Sequence, residues 1–162
     1  MNESVVRDSR QIVRRILVEG DLVLQTPAHF GNGEVEGTTD MPLLVDPVEG
    51  KALLTGASLA GALRNYLWES EQGYGVEYAA QKHSQALAVQ LFGGARGDPE
   101  GLQSPLIVED ALGPSPEVEL RDGVRIDPAT RTAAAEAKFD MELLRVGTTF
   151  PLRFELLVPA GK

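Results

Sequence analysis

The stretch Leu22 to Trp68, LVLQTPAHFGNGEVEGTTDMPLLVDPVEGKALLTGASLAGALRNYLW, decides how the rest of the chain is read. It opens as a strand and passes through a glycine-rich loop with a polar tip. It returns through a short extended segment and enters a helix at Gly56-Ala57-Ser58. Working outward, the strand extends back over Ile12 to Gln25. Ile16, Val18, Gly20, Leu22 and Leu24 alternate against Leu17, Glu19, Asp21, Val23 and Gln25, one apolar face and one mixed face, as in a half-buried antiparallel strand. Thr26-Pro27 ends it, because proline has no N–H to give the ladder. Ala28 to Thr39 is a loop carrying Gly31, Gly33 and Gly37, with Glu34, Glu36 and Asp40 alongside. Met41 to Val45 is extended, Asp46-Pro47 with Glu49-Gly50 reads as a turn, and Ala52 to Leu54 returns to the core. In the helix, Leu59, Ala62, Leu63, Tyr66 and Leu67 recur on one face. Ser58 is the expected N-cap, Arg64 lies off the stripe, and Gly56 and Gly61 have no side chains to block a ligand.

Downstream, Val76 to Phe92 is expected to be a second helix, with His83 on its solvated surface. Gly93 to Gly101 is a loop whose Arg-Gly-Asp triplet reads as a turn. Ser104 to Ala111 is a compact strand, stopped by Pro114 and Pro116. Glu117 to Arg145 has the pattern of a long extended hairpin turning at Pro128-Ala129-Thr130, although its Ala-Ala-Ala-Glu-Ala-Lys segment has helical propensity. Thr148 to Val158 is a strand in which Phe150, Leu152, Phe154 and Leu156 alternate against Thr149, Pro151, Arg153 and Glu155. The succession is α+β, in a single domain over 1–162, without internal repeats.

Composition narrows the function. The 162 residues suffice for one domain with a real core, and the 43% hydrophobic share is that of a globular protein. No apolar run approaches membrane-spanning length, no secretory signal pattern opens the chain, and cysteine is absent. The cytosol is therefore the default compartment, and no membrane partner is expected. The net charge of −9 argues against a generic basic nucleic-acid binder. It leaves room for a locally basic groove, or for backbone amides that hold phosphate. Arg7, Arg10, Arg14 and Arg15 put four positive charges near the start of the chain, read as a solvated arm, with a phosphate contact as the alternative.

No nucleophile elbow, Walker loop or dinucleotide fingerprint is present; Gly56-Ala57-Ser58-Leu59-Ala60 lacks the elbow's last glycine. His29 and His83 make no metal pair. With no cysteine either, any bound metal must take oxygen ligands, so magnesium or manganese is the natural choice. Two candidates remain. Asp40 follows a flexible glycine-rich segment and precedes Met41-Pro42, which restricts the local backbone. The helix start Gly56-Ala57-Ser58 offers free amides to a phosphate.

Several motifs, in order, resemble the RAMP (repeat-associated mysterious protein) superfamily of CRISPR systems. They are G-x-L-x-L-x-T-P-x-H-x-G-x-G over Gly20 to Gly33, T-D-x-P-L over Thr39 to Leu43, D-P-x-x-G over Asp46 to Gly50, and G-A-S-L-A-G-A-L-R over Gly56 to Arg64. Leu91-Phe92-Gly93, the Leu106 to Ala111 strand, Arg121 to Thr132, Lys138-Phe139-Asp140 and Gly147-Thr148-Thr149-Phe150 agree with it. The likeness covers roughly residues 12–158 and is most similar to the repeated backbone subunit of type III effector complexes.

This resemblance implies a ferredoxin-like β-α-β-β-α-β domain with a long inserted hairpin. Its core would span 12–116, a thumb-like hairpin 117–145, and a core strand 148–158. It implies guide RNA, target RNA and other CRISPR effector subunits as partners. By the same likeness Asp40 is the acid of a metal-dependent endoribonuclease, with Mg2+ or Mn2+ as cofactor and the metal ligands unassigned. Gly56, Ser58, Arg64 and Arg125 would contact RNA. A structural subunit that binds guide RNA and its neighbours without cutting is the alternative, and an unrelated α+β domain is a third. Ala60 stands where the family helix often has a lysine, which removes a phosphate contact. The family's Gly-Gly-x-x-x-x-G-x-G segment does not occur, so the chain is expected to lack the domain's C-terminal part or to be completed by a neighbour.

Overall fold

The computed structural model describes residues 11–33, 39–76, 85–94 and 103–160, with the backbone alone for 134–137. The Arg7–Arg10 arm, His83 and the Arg-Gly-Asp triplet lie outside the described residues. The described chain mixes helix and strand, with small sheets. In chain order the elements are β1 (Ile12–Val23), β2 (Leu53–Leu54), α1 (Gly56–Gln72), α2 (Leu87–Phe92), β3 (Leu106–Val108), β4 (Ala111–Leu112), β5 (Val118–Ile126), β6 (Ala133–Leu144) and β7 (Thr149–Pro159). They divide into two compact units.

The first unit holds Met1–Gly20, Thr55–Asp110 and Leu152–Lys162. Its strands belong to a three-stranded sheet in the order β1-β7-β3. Leu106, Ile107 and Val108 pair antiparallel with Leu156, Glu155 and Phe154. Two ion pairs, Arg15–Glu155 and Arg153–Glu19, tie β1 to β7, and Arg153 also reaches Glu109. The strand alternation is right for β1, but its apolar face is less covered than the pattern implies. Val18 is 56% exposed, because β1 is an edge strand of this sheet.

Two features of α1 differ from expectation. Its N-cap is Thr55, whose side chain accepts a hydrogen bond from the Ser58 amide; Ser58 stands inside the first turn. Its buried side is also rotated from the expected stripe. Gly56 and Trp68 are buried and Leu59, Ala60, Arg64 and Leu67 half-buried, whereas Ala62, Leu63 and Tyr66 face outward. The reason is packing. Gly56 has backbone against its Cα, and Trp68 joins Ala86, Ala88 and Val89 in a core that Leu67 flanks. The bulk of Trp68 thus outweighs periodicity in setting the face.

The expected Val76–Phe92 helix is not continuous. Gly73 and Gly75 adopt positive φ (94° and 79°) after α1, Ala86 is extended, and α2 begins only at Leu87. Ala86 gives α2 no side-chain cap. The Glu71 carboxylate at the end of α1 does it instead, accepting from the Leu87 and Ala88 amides at 2.9 and 3.1 Å. A carboxylate suits the positive end of a helix.

The second unit holds Asp21–Leu54 and Ala111–Pro151. The expected Ser104–Ala111 strand is interrupted at Glu109-Asp110. Ala111–Leu112 forms β4 and pairs with β2, Leu53 opposite Leu112 and Leu54 opposite Ala111. Phe150 and Leu144 are fully buried here, and Phe30 meets Phe150 edge to face at 5.6 Å. The long hairpin is present. β5 and β6 pair antiparallel from Val118–Leu144 to Ile126–Ala133, with an irregularity between Val124 and Ile126. The Ala-Ala-Ala-Glu-Ala-Lys segment is strand, anchored to β5 at its two ends by Ala133–Ile126 and Lys138–Val124, a tertiary pairing that overrides its short-range helix propensity.

Candidate functional site

Asp40 sits at the base of a folded-back loop within the second unit. Residues 28–33 and 39–45 run side by side, joined by the Gly31–Leu43 bridge and by Leu44 N donating to Phe30 O at 2.7 Å. Strand β6 pins both arms. Ala28 and Leu144 exchange backbone bonds of 3.1 and 2.8 Å. Met41 N donates to Asp140 O, and Glu142 N donates to Met41 O, both at 3.0 Å. His29 Nδ1 donates to Glu142 O at 2.8 Å, which leaves Nε2 as the ring's acceptor nitrogen. That ring lies over Gly31, where an added Cβ would come within 3.2 Å of its Cε1. The glycine at 31 is thus a close-approach residue.

The Asp40 carboxylate is exposed, and its Oδ2 accepts the Asp140 N–H at 3.0 Å. Asp40 lines an open cleft of about 370 Å³ together with His29, Gly31, Asn32, Gly33, Met41 and Pro42. On the hairpin, Asp122 and Asp140 are cross-strand partners. Partial loss of hydration, then the charge and hydrogen bond of Asp122, then the charge of Asp40, raise the Asp140 carboxyl above its ordinary value. Since Asp140 is an exposed residue, the two neighbouring carboxylates are the physically firmer cause. Among the described residues no group of three or more Asp, Glu, His or Cys is arranged to hold a metal ion. Asp40 and Asp140 are neighbouring carboxylates, a partial oxygen set of the kind Mg2+ completes with other oxygen ligands.

The helix start, in the first unit, is less open than its sequence suggests. The Gly56 amide is taken by Asp110 Oδ1 at 2.7 Å and the Ser58 amide by Thr55 Oγ1 at 3.3 Å. A Cβ on Gly56 would stand 2.8 Å from the Val108 carbonyl carbon, so this glycine serves packing. Arg64 is half-buried and lines a cleft of about 330 Å³ together with Gly56, Ala57, Ala60, Gly61 and Phe92. Ser58 is exposed on the first turn, its Oγ accepting from Thr55 Oγ1 at 2.9 Å. Arg125 is in the second unit, exposed on β5 at the pairing irregularity between Val124 and Ile126. Val118, Leu120, Val124 and Ile126 of that strand are exposed too, interspersed with the charged Asp122 and the cross-strand neighbours Glu142, Asp140 and Lys138.

The resemblance gave roles to Asp40, Gly56, Ser58, Arg64 and Arg125; Asp110 and Asp140 stood in its motifs without a role, and nothing singled out Glu142. Asp140 and Glu142 reach the Asp40 loop across about 100 positions, a separation no local spacing encodes. The model of the RAMP superfamily matches residues 21–158. The chain belongs to the RAMP superfamily. Membership makes it a CRISPR-related, RNA-binding protein, with RNA and CRISPR-complex proteins as partners. No curated protein matches it. Among the described residues no helix is long and apolar enough to cross a membrane.

Proposed function

We propose that this chain is a guide-RNA-binding backbone subunit of a type III CRISPR effector that cleaves target RNA at Asp40. The observation that carries the reading is the Asp40 loop itself. An exposed carboxylate at the edge of an open cleft has one oxygen fixed by a backbone N–H. A carboxylate so oriented can align or deprotonate a ribose 2′-hydroxyl for attack on the adjacent phosphate. A divalent ion, Mg2+ or Mn2+, would be held by Asp40 with RNA phosphate oxygens and would neutralise charge on the reacting phosphate. The exposed Val124 and Ile126 of β5 suit contact with bases, since bases stack on apolar and aromatic side chains. Ser58, Arg64 and Arg125 serve as RNA contacts in this reading, and Gly56 places the helix that carries two of them. A guanidinium such as Arg64 pairs well with a phosphate. The reading includes the ferredoxin-like plan.

The test is cleavage of a guide-complementary RNA by the reconstituted complex with Mg2+, carrying either this subunit or Asp40→Ala. Loss of about 100-fold or more in rate with intact assembly is expected. Unchanged cutting would make the subunit a scaffold.

A further inference from the structure

We propose that Glu142 is the positioning residue that sets the Asp40 loop for cleavage; the inference rests on the reading of Asp40 as the cleaving acid. Glu142 grips the loop on both sides of Asp40 with one carboxylate. Its Oε1 accepts the Thr39 hydroxyl at 3.1 Å, and its Oε2 accepts the Leu43 amide at 2.9 Å. Its backbone engages the same loop, N–H to Met41 O and C=O from His29 Nδ1. Two strand residues earlier, the Asp140 amide holds Asp40 Oδ2.

The arrangement has a physical logic. Residues 39–43 form single bridges rather than a continuous ladder, so backbone pairing alone holds them loosely. Asp40 is exposed, so no packing restrains it. A half-buried carboxylate whose two oxygens bond the residues flanking it supplies the missing restraint. Because β6 is paired with β5 continuously from Lys138 to Leu144, the loop takes its position from the hairpin. Glu142 itself need not touch RNA. It acts through Asp40, and what it contributes is geometry rather than charge.

That distinction makes the proposal testable. Glu142→Gln keeps both bonds, its Oε1 accepting from Leu43 N–H and its Nε2 donating to Thr39 Oγ1. Glu142→Ala removes both. In the reconstituted complex under single turnover with Mg2+, Glu142→Ala is expected to cut about 100-fold slower and Glu142→Gln within about threefold of the parent, as for a displaced and a retained catalytic group. Guide-RNA affinity is expected to stay unchanged in both. Amide exchange of Leu43 in the chain alone, followed by NMR, is expected to speed up in Glu142→Ala and not in Glu142→Gln. Full cutting by Glu142→Ala beside an inactive Asp40→Ala would overturn the proposal, as would equal loss in Glu142→Ala and Glu142→Gln. Should Asp40→Ala cut at the parent rate, the functional reading falls, and with it the positioning role. Unchanged Leu43 exchange in Glu142→Ala would show separately that the clamp is absent.

Discussion

Replacing Gly56 by alanine tests the helix start most directly. An alanine Cβ there would stand 2.8 Å from the Val108 carbonyl carbon and 3.0 Å from the Glu109 carbonyl carbon, with the Val108 oxygen closer still. All three are backbone atoms, which cannot swing away as a side-chain end does. Relief requires either shifting α1 off the end of β3 or bending the segment that leads to Asp110. The second route also strains the Gly56 N–Asp110 Oδ1 bond of 2.7 Å. Forcing one methyl group into a packed site costs about 1–3 kcal/mol, and a backbone clash belongs at the upper end. For a chain of this size about 3 kcal/mol lowers the melting midpoint by about 6–12 °C. Gly61 in the same helix is the internal control, since an alanine Cβ there meets nothing within 4 Å. Gly61→Ala should stabilise by about 0.5–1 kcal/mol through helix propensity, raising the midpoint by about 1–4 °C. The assay is thermal unfolding of the full chain followed by circular dichroism at 222 nm. Opposite signs for the two substitutions are expected. A Gly56→Ala midpoint equal to the parent's would refute the close approach, and with it the argument that this glycine serves packing.

Other outcomes follow from the same geometry. Thr55→Ala should cost about 1 kcal/mol as the loss of an N-cap, whereas Ser58→Ala should leave the melting midpoint unchanged and be felt only in RNA affinity. A larger stability loss at Ser58 would return the cap to that residue. Arg64→Ala should weaken guide-RNA binding and reduce the slope of log K against log salt by about 0.7, the contribution of one single-strand phosphate contact. A slope unchanged by the substitution would remove Arg64 from the interface. Asp140 holds its proton more tightly folded than unfolded, so its share of stability is full below the ordinary value of 3.8 and is lost as pH rises through the raised one. Asp140→Asn should accordingly melt above the parent at neutral pH, with the gap closing below that value. A gap that widens in acid would reverse the assignment.

The chain shows how far residue order reaches. Thr26-Pro27, Asp46-Pro47 and Gly50 place their turns by local chemistry. The Val48 and Glu49 amides bond Asp46 Oδ1, and Gly50 takes the positive φ the turn requires. The alternation in Glu117 to Arg145 and Thr148 to Val158 gives strands within one or two residues of their ends. Such features are settled by neighbours a few positions away, so sequence alone determines them. The ordered motifs from Gly20 to Phe150 likewise identify the family before any coordinates are consulted.

What tertiary structure decided is of another kind. Trp68 and the pressure of Val108 on Gly56 rotate the buried face of α1 away from its own periodic stripe. The Asp110 carboxylate fills an amide that looked free, and Glu71 caps a helix that has no cap of its own. Above all, Asp140 and Glu142 meet the Asp40 loop only because β6 returns beside it, about 100 positions along the chain. A hydrogen bond acts over about 3 Å and is blind to separation in sequence. The residues that hold the Asp40 loop in place are therefore chosen by the fold, while Asp40 itself is marked in the sequence by the resemblance of Thr39 to Leu43 to the family motif.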